Sequence, residues 1–117
     1  MKTNLLPPKA YTKKSFFEKE QERLFSNCLT FAGLTEDLKI AGDFITVQAG
    51  LNNLIVYLDN KGELKAVHNV CRHRGMRLVE GQGRFNGKIT CPYHDWTYGL
   101  TGELKSLPKQ RQDSVSY

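Results

Sequence analysis

Cysteine and histidine are scarce in this sequence, at three residues each in 117. So few cysteines, and an odd number of them, exclude the disulfide framework that small secreted domains use in place of a large core. The thiols are left for metal binding or plain burial. No apolar run approaches the roughly 20 residues needed to cross a bilayer. The opening residues, with Lys2 and the Pro7-Pro8 pair, lack the apolar stretch of a secretory signal. These absences give the expectation of a cytoplasmic protein with no membrane association. Acidic residues are also in deficit: 12 Asp+Glu face 17 Lys+Arg, a formal charge of +5. That balance suits an acidic partner or a nucleic acid. Arg72, Arg74, Arg77 and Arg84 come with no basic helix and no RNA-binding aromatic strand, which argues against nucleic acid.

Residues 1–14 are polar and basic and are expected to form an extended arm without a fold of its own. Ser15 and Glu18 have the spacing of a capping box, and Phe17, Gln21, Leu24, Phe25 and Cys28 recur with a 3.6-residue period. A helix over 15–28 is predicted, with Cys28 buried on its apolar stripe as a small hydrophobe. After Gly42-Asp43 the pattern changes to short strands: 44–49, 54–58 and 64–70, separated by turns at Gly50/Asn52/Asn53 and Asp59–Gly62. Beyond them come Gly81 and Gly83, then Asn86-Gly87 as a hairpin turn leading into 88–91, and Gly99/Gly102 as a turn between 96–98 and 103–107. The class is mainly β, in one domain.

Cys71-Arg72-His73 ends one predicted strand and Cys91-Pro92-Tyr93-His94 ends another. Each loop thus offers one thiol and one imidazole. In extended chain residues i and i+2 point the same way, so Cys71 and His73 can face one centre. Pro92 biases Cys91 toward extended backbone, and a tight turn after it brings His94 round. With three Cys and three His in the chain, either pairing arises by chance roughly 0.08 times, and both together about 0.006 times. A tetrahedral zinc could take two Cys and two His, but zinc fingers pair C-x-x-C with a helical His pair, whereas here each prong is mixed. Mixed prongs suit a 2Fe-2S cluster in which two thiolates hold one iron and two imidazoles the other.

Asn69-Val70-Cys71-Arg72-His73-Arg74-Gly75 and Cys91-Pro92-Tyr93-His94-Asp95-Trp96-Thr97-Tyr98 resemble the Rieske domain of bacterial aromatic-ring-hydroxylating and related oxygenase α subunits. The segment with Glu22, Leu24 and Phe25, the Ala41-Gly42-Asp43 turn and the stretch from Gly102 to Pro108 are similar to the same family, and the likeness covers about 95 residues. It implies a Rieske-type antiparallel β-sandwich with one N-terminal helix and a small two-loop cluster-binding subdomain at about 67–99. The domain would span 15–108, between the arm at 1–14 and a tail at 109–117. Further strands beyond Leu107 would belong to the full domain, so closing strands are expected to be missing.

Residue by residue, the resemblance implies that Cys71 and Cys91 hold one iron and that His73 and His94 hold the other, more exposed one. Arg74 and Gly75 would shape the first loop so that backbone amides face the cluster sulfurs, with Met76, Tyr93 and Trp96 around them. Met76 and Tyr93 stand where high-potential Rieske proteins carry a loop-bridging disulfide, and Trp96 where they place a serine hydroxyl. A low potential is therefore expected. Asp95 stands where the oxygenases have glycine, and aspartate tolerates left-handed backbone better than most residues.

In that family electrons pass from a ferredoxin or flavin reductase, through the cluster, to a mononuclear iron in a catalytic domain of the same or a neighbouring subunit. Such an iron needs two histidines and a carboxylate. Once His73 and His94 are assigned, only His68 remains, so this chain is expected to transfer electrons without a catalytic iron of its own. Its positive charge would attract an acidic ferredoxin or reductase. Two alternatives stay open: a free-standing Rieske ferredoxin, and a zinc-stabilised binding module.

Overall fold

Short alternating strands dominate the computed structural model, which describes residues 5–108; the tail expected at 109–117 lies outside the described residues. Four strands form one antiparallel sheet: β1 Asp43–Ala49, β2 Asn52–Leu58, β3 Leu64–His68 and β4 Gln82–Arg84, in the order β3-β2-β1-β4. Three more form a second: β5 Lys88–Thr90, β6 Thr97–Gly99 and β7 Leu104–Ser106, in the order β5-β6-β7. The two sheets share one core. Period-two alternation in β1 and β2 turns Phe44, Ile55 and Tyr57 inward, where they meet Leu78, Phe85, Ile89, Tyr98 and Leu100. Phe44 stacks on Phe85 with ring centroids 4.2 Å apart, and the Tyr57 hydroxyl donates to the Leu100 carbonyl at 2.7 Å. Burying rings of this kind contributes roughly 2–3 kcal/mol each.

The turn into β1 is held by Asp43. Its Oδ2 accepts the amides of Lys39 and Ile40, and its Oδ1 pairs with the Arg84 guanidinium across the β1–β4 ladder. Arg84 above all, then the Ile40 amide, hold the carboxyl at about 2. Gly42, at φ 94°, leaves no room for a side chain: a Cβ there would run into the Phe85 carbonyl oxygen. The β2–β3 turn is an Asx turn, in which Asp59 Oδ1 accepts the amides of Lys61 and Glu63.

Four expectations are corrected. The arm contains a helical turn, α1, at Lys9–Thr12. The predicted helix is α2, Lys14–Glu20, continued by a π-helical turn at Gln21–Phe25, so it stops short of Cys28. Ser26 Oγ and Asn27 Nδ2 bond back to the carbonyls of Gln21 and Arg23, which competes with further helix. Ser15 is no cap, because Lys13 is the extended residue that starts α2. Cys28 is exposed, and no residue of α1, α2 or the π-helical turn is buried: the segment meets the β1–β2 turn at Gly50 through Gln21 and Ser26, which leaves Phe17, Leu24 and Phe25 exposed. Beyond these four, Gly83 lies inside β4 opposite Phe44, where the lack of a side chain lets the Phe44 ring lie across it.

Candidate metal centre

The two Cys/His loops share one backbone plan. In Cys71–Met76 the Cys71 amide donates to the Met76 carbonyl at 2.7 Å and the Gly75 amide to the Cys71 carbonyl at 2.9 Å. In Cys91–Trp96 the Cys91 amide donates to the Trp96 carbonyl at 2.8 Å and the Asp95 amide to the Cys91 carbonyl at 3.0 Å. Each plan needs positive φ at its fifth residue, supplied by Gly75 at 70° and by Asp95 at 58°. Aspartate does here what glycine does in the first loop, at a cost of about 1 kcal/mol. The loops differ in one respect: His73 lies two residues after its cysteine and His94 three.

Folding brings the four side chains into two pairs sorted by type, thiol with thiol and imidazole with imidazole. Cys71 and Cys91 are each only 1% exposed. The imidazoles of His73 and His94 lie outside them as an edge-on pair, with centroids 4.7 Å apart at 68°. The Trp96 indole stacks on His73 at 4.8 Å and 5°, and the Tyr93 ring leans on His94 at 3.8 Å. His73, His94 and Trp96 line an open cavity of about 260 Å³ with Leu107 and Pro108. Met76 and Gly75 contribute backbone, and Arg74 is exposed. Of the expected basic cluster, Arg77 pairs with Glu80 and Arg84 with Asp43, so their charges are partly used within the chain.

The electrostatics favour metal-ready donors. Burial pushes the Cys71 thiol up, but hydrogen bonding from Tyr98, the His73 amide, Cys91 and the Arg74 amide outweighs it, and the net direction is down. Desolvation, then the positive charges of His94 and Arg74, keep His73 below its ordinary value, which favours the neutral imidazole, the form able to bind a metal. The His94 Nδ1 atom is buried without a hydrogen-bond partner among the described residues. Such an orphan calls for an ion or another group. Among the described residues no three His, Cys, Asp or Glu side chains gather closely enough to hold a single ion. A thiol pair inside and an imidazole pair outside fit a two-iron group better than one tetrahedral metal.

Sequence reasoning missed Tyr98. Its hydroxyl accepts the Arg72 amide at 3.1 Å, which leaves its proton for the Cys71 sulfur at 3.3 Å. Burial, then the bond to Cys71, raise its own pKa. The available signal was a tyrosine on a core-facing strand position close to Cys91, since a buried hydroxyl needs a partner.

The profile of the family described as "Rieske [2Fe-2S] domain" matches residues 29–116. This chain belongs to that family. A Rieske domain carries a 2Fe-2S cluster, and the family match sets aside the zinc-stabilised module. Among relatives, the oxygenase subunit of glycine betaine monooxygenase from Pseudomonas aeruginosa is 39% identical over 99 residues, which is 85% of this chain and 23% of that protein. Biphenyl 2,3-dioxygenase subunit alpha from Rhodococcus jostii is 36% identical over 111 residues, 95% of this chain and 24% of that protein. Among solved structures, a quaternary ammonium Rieske monooxygenase with L-carnitine superposes with a TM-score of 0.80 at 32% identity, over 95% of this chain and 32% of that one. Naphthalene 1,2-dioxygenase from Rhodococcus sp. gives 0.80 at 29% identity, over 92% of this chain and 24% of that one. This Rieske domain spans about a quarter of the length of the curated relatives it matches. Those relatives are oxygenase subunits, and one solved relative is described as revealing inter-subunit electron transfer. Among the described residues no helix is long and apolar enough to cross a membrane.

Proposed function

We propose that this Rieske domain relays single electrons within a non-haem iron oxygenase, with Cys71 and Cys91 holding one iron of its cluster and His73 and His94 the other. One observation carries the ligand reading: the two thiols are buried together while the two imidazoles sit outside them, one with an orphaned buried nitrogen. Bound there, a 2Fe-2S cluster supplies reversible one-electron redox chemistry.

The protein's own residues then have distinct tasks. The two loops aim the thiols inward, Tyr98 donates to the Cys71 sulfur, Trp96 fixes the plane of His73, and Pro92 with Asp95 turns the chain so that His94 faces the same centre. The imidazoles open toward the cavity beside Leu107 and Pro108, which makes that side the route by which electrons enter and leave. The donor is an acidic ferredoxin or flavin reductase: the chain carries +5, and Arg72 and Arg74 stand exposed on the first loop. The acceptor is a mononuclear iron in a catalytic domain of the same or a neighbouring oxygenase subunit. A cytoplasmic setting suits three free cysteines.

Iron, zinc and acid-labile sulfide per chain, measured on protein purified without oxygen, test the reading. Two irons and two sulfides, lost in His94→Ala, are expected. One zinc without sulfide overturns it.

A further inference from the structure

The two prongs are not supported alike. The second is the tip of the β5–β6 hairpin, whose ladder reaches Thr90 opposite Thr97 directly beneath Cys91 and Trp96, with their hydroxyls 3.2 Å apart. The two arms of the first share no ladder: the incoming arm is paired with β2 through His68, with the Asn69 amide donating to the Asn53 carbonyl at 2.9 Å, while the chain leaving Met76 joins no strand until β4 begins at Gln82. No disulfide spans either loop, since all three cysteines are free.

The base of the first loop is bridged by the side chain of Asn69, which is 5% exposed. Its Oδ1 accepts the amides of Leu78 at 2.9 Å and Val79 at 3.1 Å. Its Nδ2 donates to the Val79 carbonyl at 2.6 Å and to Asn53 Oδ1 at 2.7 Å. Both donors and both acceptor positions of the carboxamide are thus used. They tie the residue two before Cys71 to the chain just after Met76 and, through Asn53, to the start of β2.

We propose that Asn69 is the positioning residue of the first prong, holding Cys71 and His73 in place opposite Cys91 and His94. The proposal rests on the ligand reading above. Only a carboxamide answers what surrounds it: two amides need an acceptor and two oxygens need donors. A carboxylate of the same shape would set its oxygen against two others, and an alanine would strand all four groups.

The test begins with the parent protein and His94→Ala, whose iron and sulfide contents decide the ligand reading before any Asn69 or Asn53 variant is made. Asn69→Ala, Asn69→Asp and Asn53→Ala are then loaded with iron and sulfide in the same way. Three things are read: the rate of iron loss to a chelator, the g-values of the reduced protein and its midpoint potential. Asn69→Ala and Asn69→Asp should lose iron about 10- to 100-fold faster than the parent, with shifted g-values and potential. The failure of the isosteric aspartate shows that the donors matter, beyond the volume filled. Asn53→Ala removes a single bond from the set and should move the same readouts the same way, by less. It keeps the comparison open even where the Asn69 variants fold poorly. A merely structural role would lower the unfolding midpoint and leave the g-values and potential of the folded protein unchanged. Parent-like g-values, potential and iron-loss rate in Asn53→Ala and in any folded Asn69 variant overturn the proposal.

Discussion

Removing one hydroxyl should move the redox potential of this domain by a measurable, signed amount. Tyr98→Phe deletes the donor that lies 3.3 Å from the Cys71 sulfur and leaves the ring in the core. A hydrogen bond to a charged acceptor contributes about 1.5–3 kcal/mol. The bond exists in both oxidation states, and only the difference between them counts. Reduction adds a negative charge to the centre and strengthens the bond, and if about a third to a half of its energy is differential, roughly 1 kcal/mol favours the reduced form. For a one-electron couple, 59 mV is a tenfold change in equilibrium constant, or 1.36 kcal/mol, so the midpoint should fall by about 40 mV. The assay is an anaerobic redox titration of parent and variant under the same buffer and salt. An unchanged or raised midpoint in a variant with full iron and sulfide content would refute the reasoning. Titration of the parent also checks the expected low potential: with neither loop disulfide nor serine hydroxyl, its midpoint should lie in the lower part of the Rieske range of about −150 to +300 mV.

Three further outcomes follow from the backbone and from Asp43. Asp95→Gly should stay within about 1 kcal/mol of the parent by urea denaturation, because relief at φ 58° offsets the entropy glycine adds, whereas Asp95→Val should lose about 2 kcal/mol. Gly42→Ala should lose about 3 kcal/mol or more, since both its positive φ and the Phe85 carbonyl oppose a side chain, and circular dichroism of the purified variant checks this. Asp43, lowered from 3.8 to about 2 chiefly by its bond to Arg84, contributes stability that is fully present above the unfolded value and lost as pH falls through the folded one. The gap in Tm between the parent and Asp43→Asn should therefore be constant near neutrality and close between about pH 4 and 2, and a gap that persists at pH 2 contradicts the assignment.

The sequence showed most clearly what was local. Each prong is a short run of scarce residue types, and strands β1 to β3 announce themselves by period-two patterning between turn residues. Asp95 could be read as a left-handed residue because that property belongs to one side chain and its own backbone. What stayed hidden depends on pairs far apart in the chain. Tyr98 reaches Cys71 across 27 residues, Arg84 reaches Asp43 across 41, and β4 exists only because β1 offers an edge on which three polar or small residues can pair. The N-terminal helix failed for the opposite reason. Its apolar stripe is real in the sequence, but periodicity says only which side would be buried, and Phe17, Leu24 and Phe25 stay exposed although the backbone at Gln21 comes up against Gly50 in the β1–β2 turn.

The one-residue offset between the two histidines breaks the equivalence of loops that are otherwise built alike. Because His73 follows its cysteine by two residues and His94 by three, one imidazole stands exposed on the rim while the other tucks a ring nitrogen into the protein. The centre thus has an outer and an inner imidazole, and an approaching molecule meets them in that sequence. The indole lying on the outer one is carried by the opposite loop, so the second finger roofs the histidine of the first, and each loop's imidazole environment is built in part by the other.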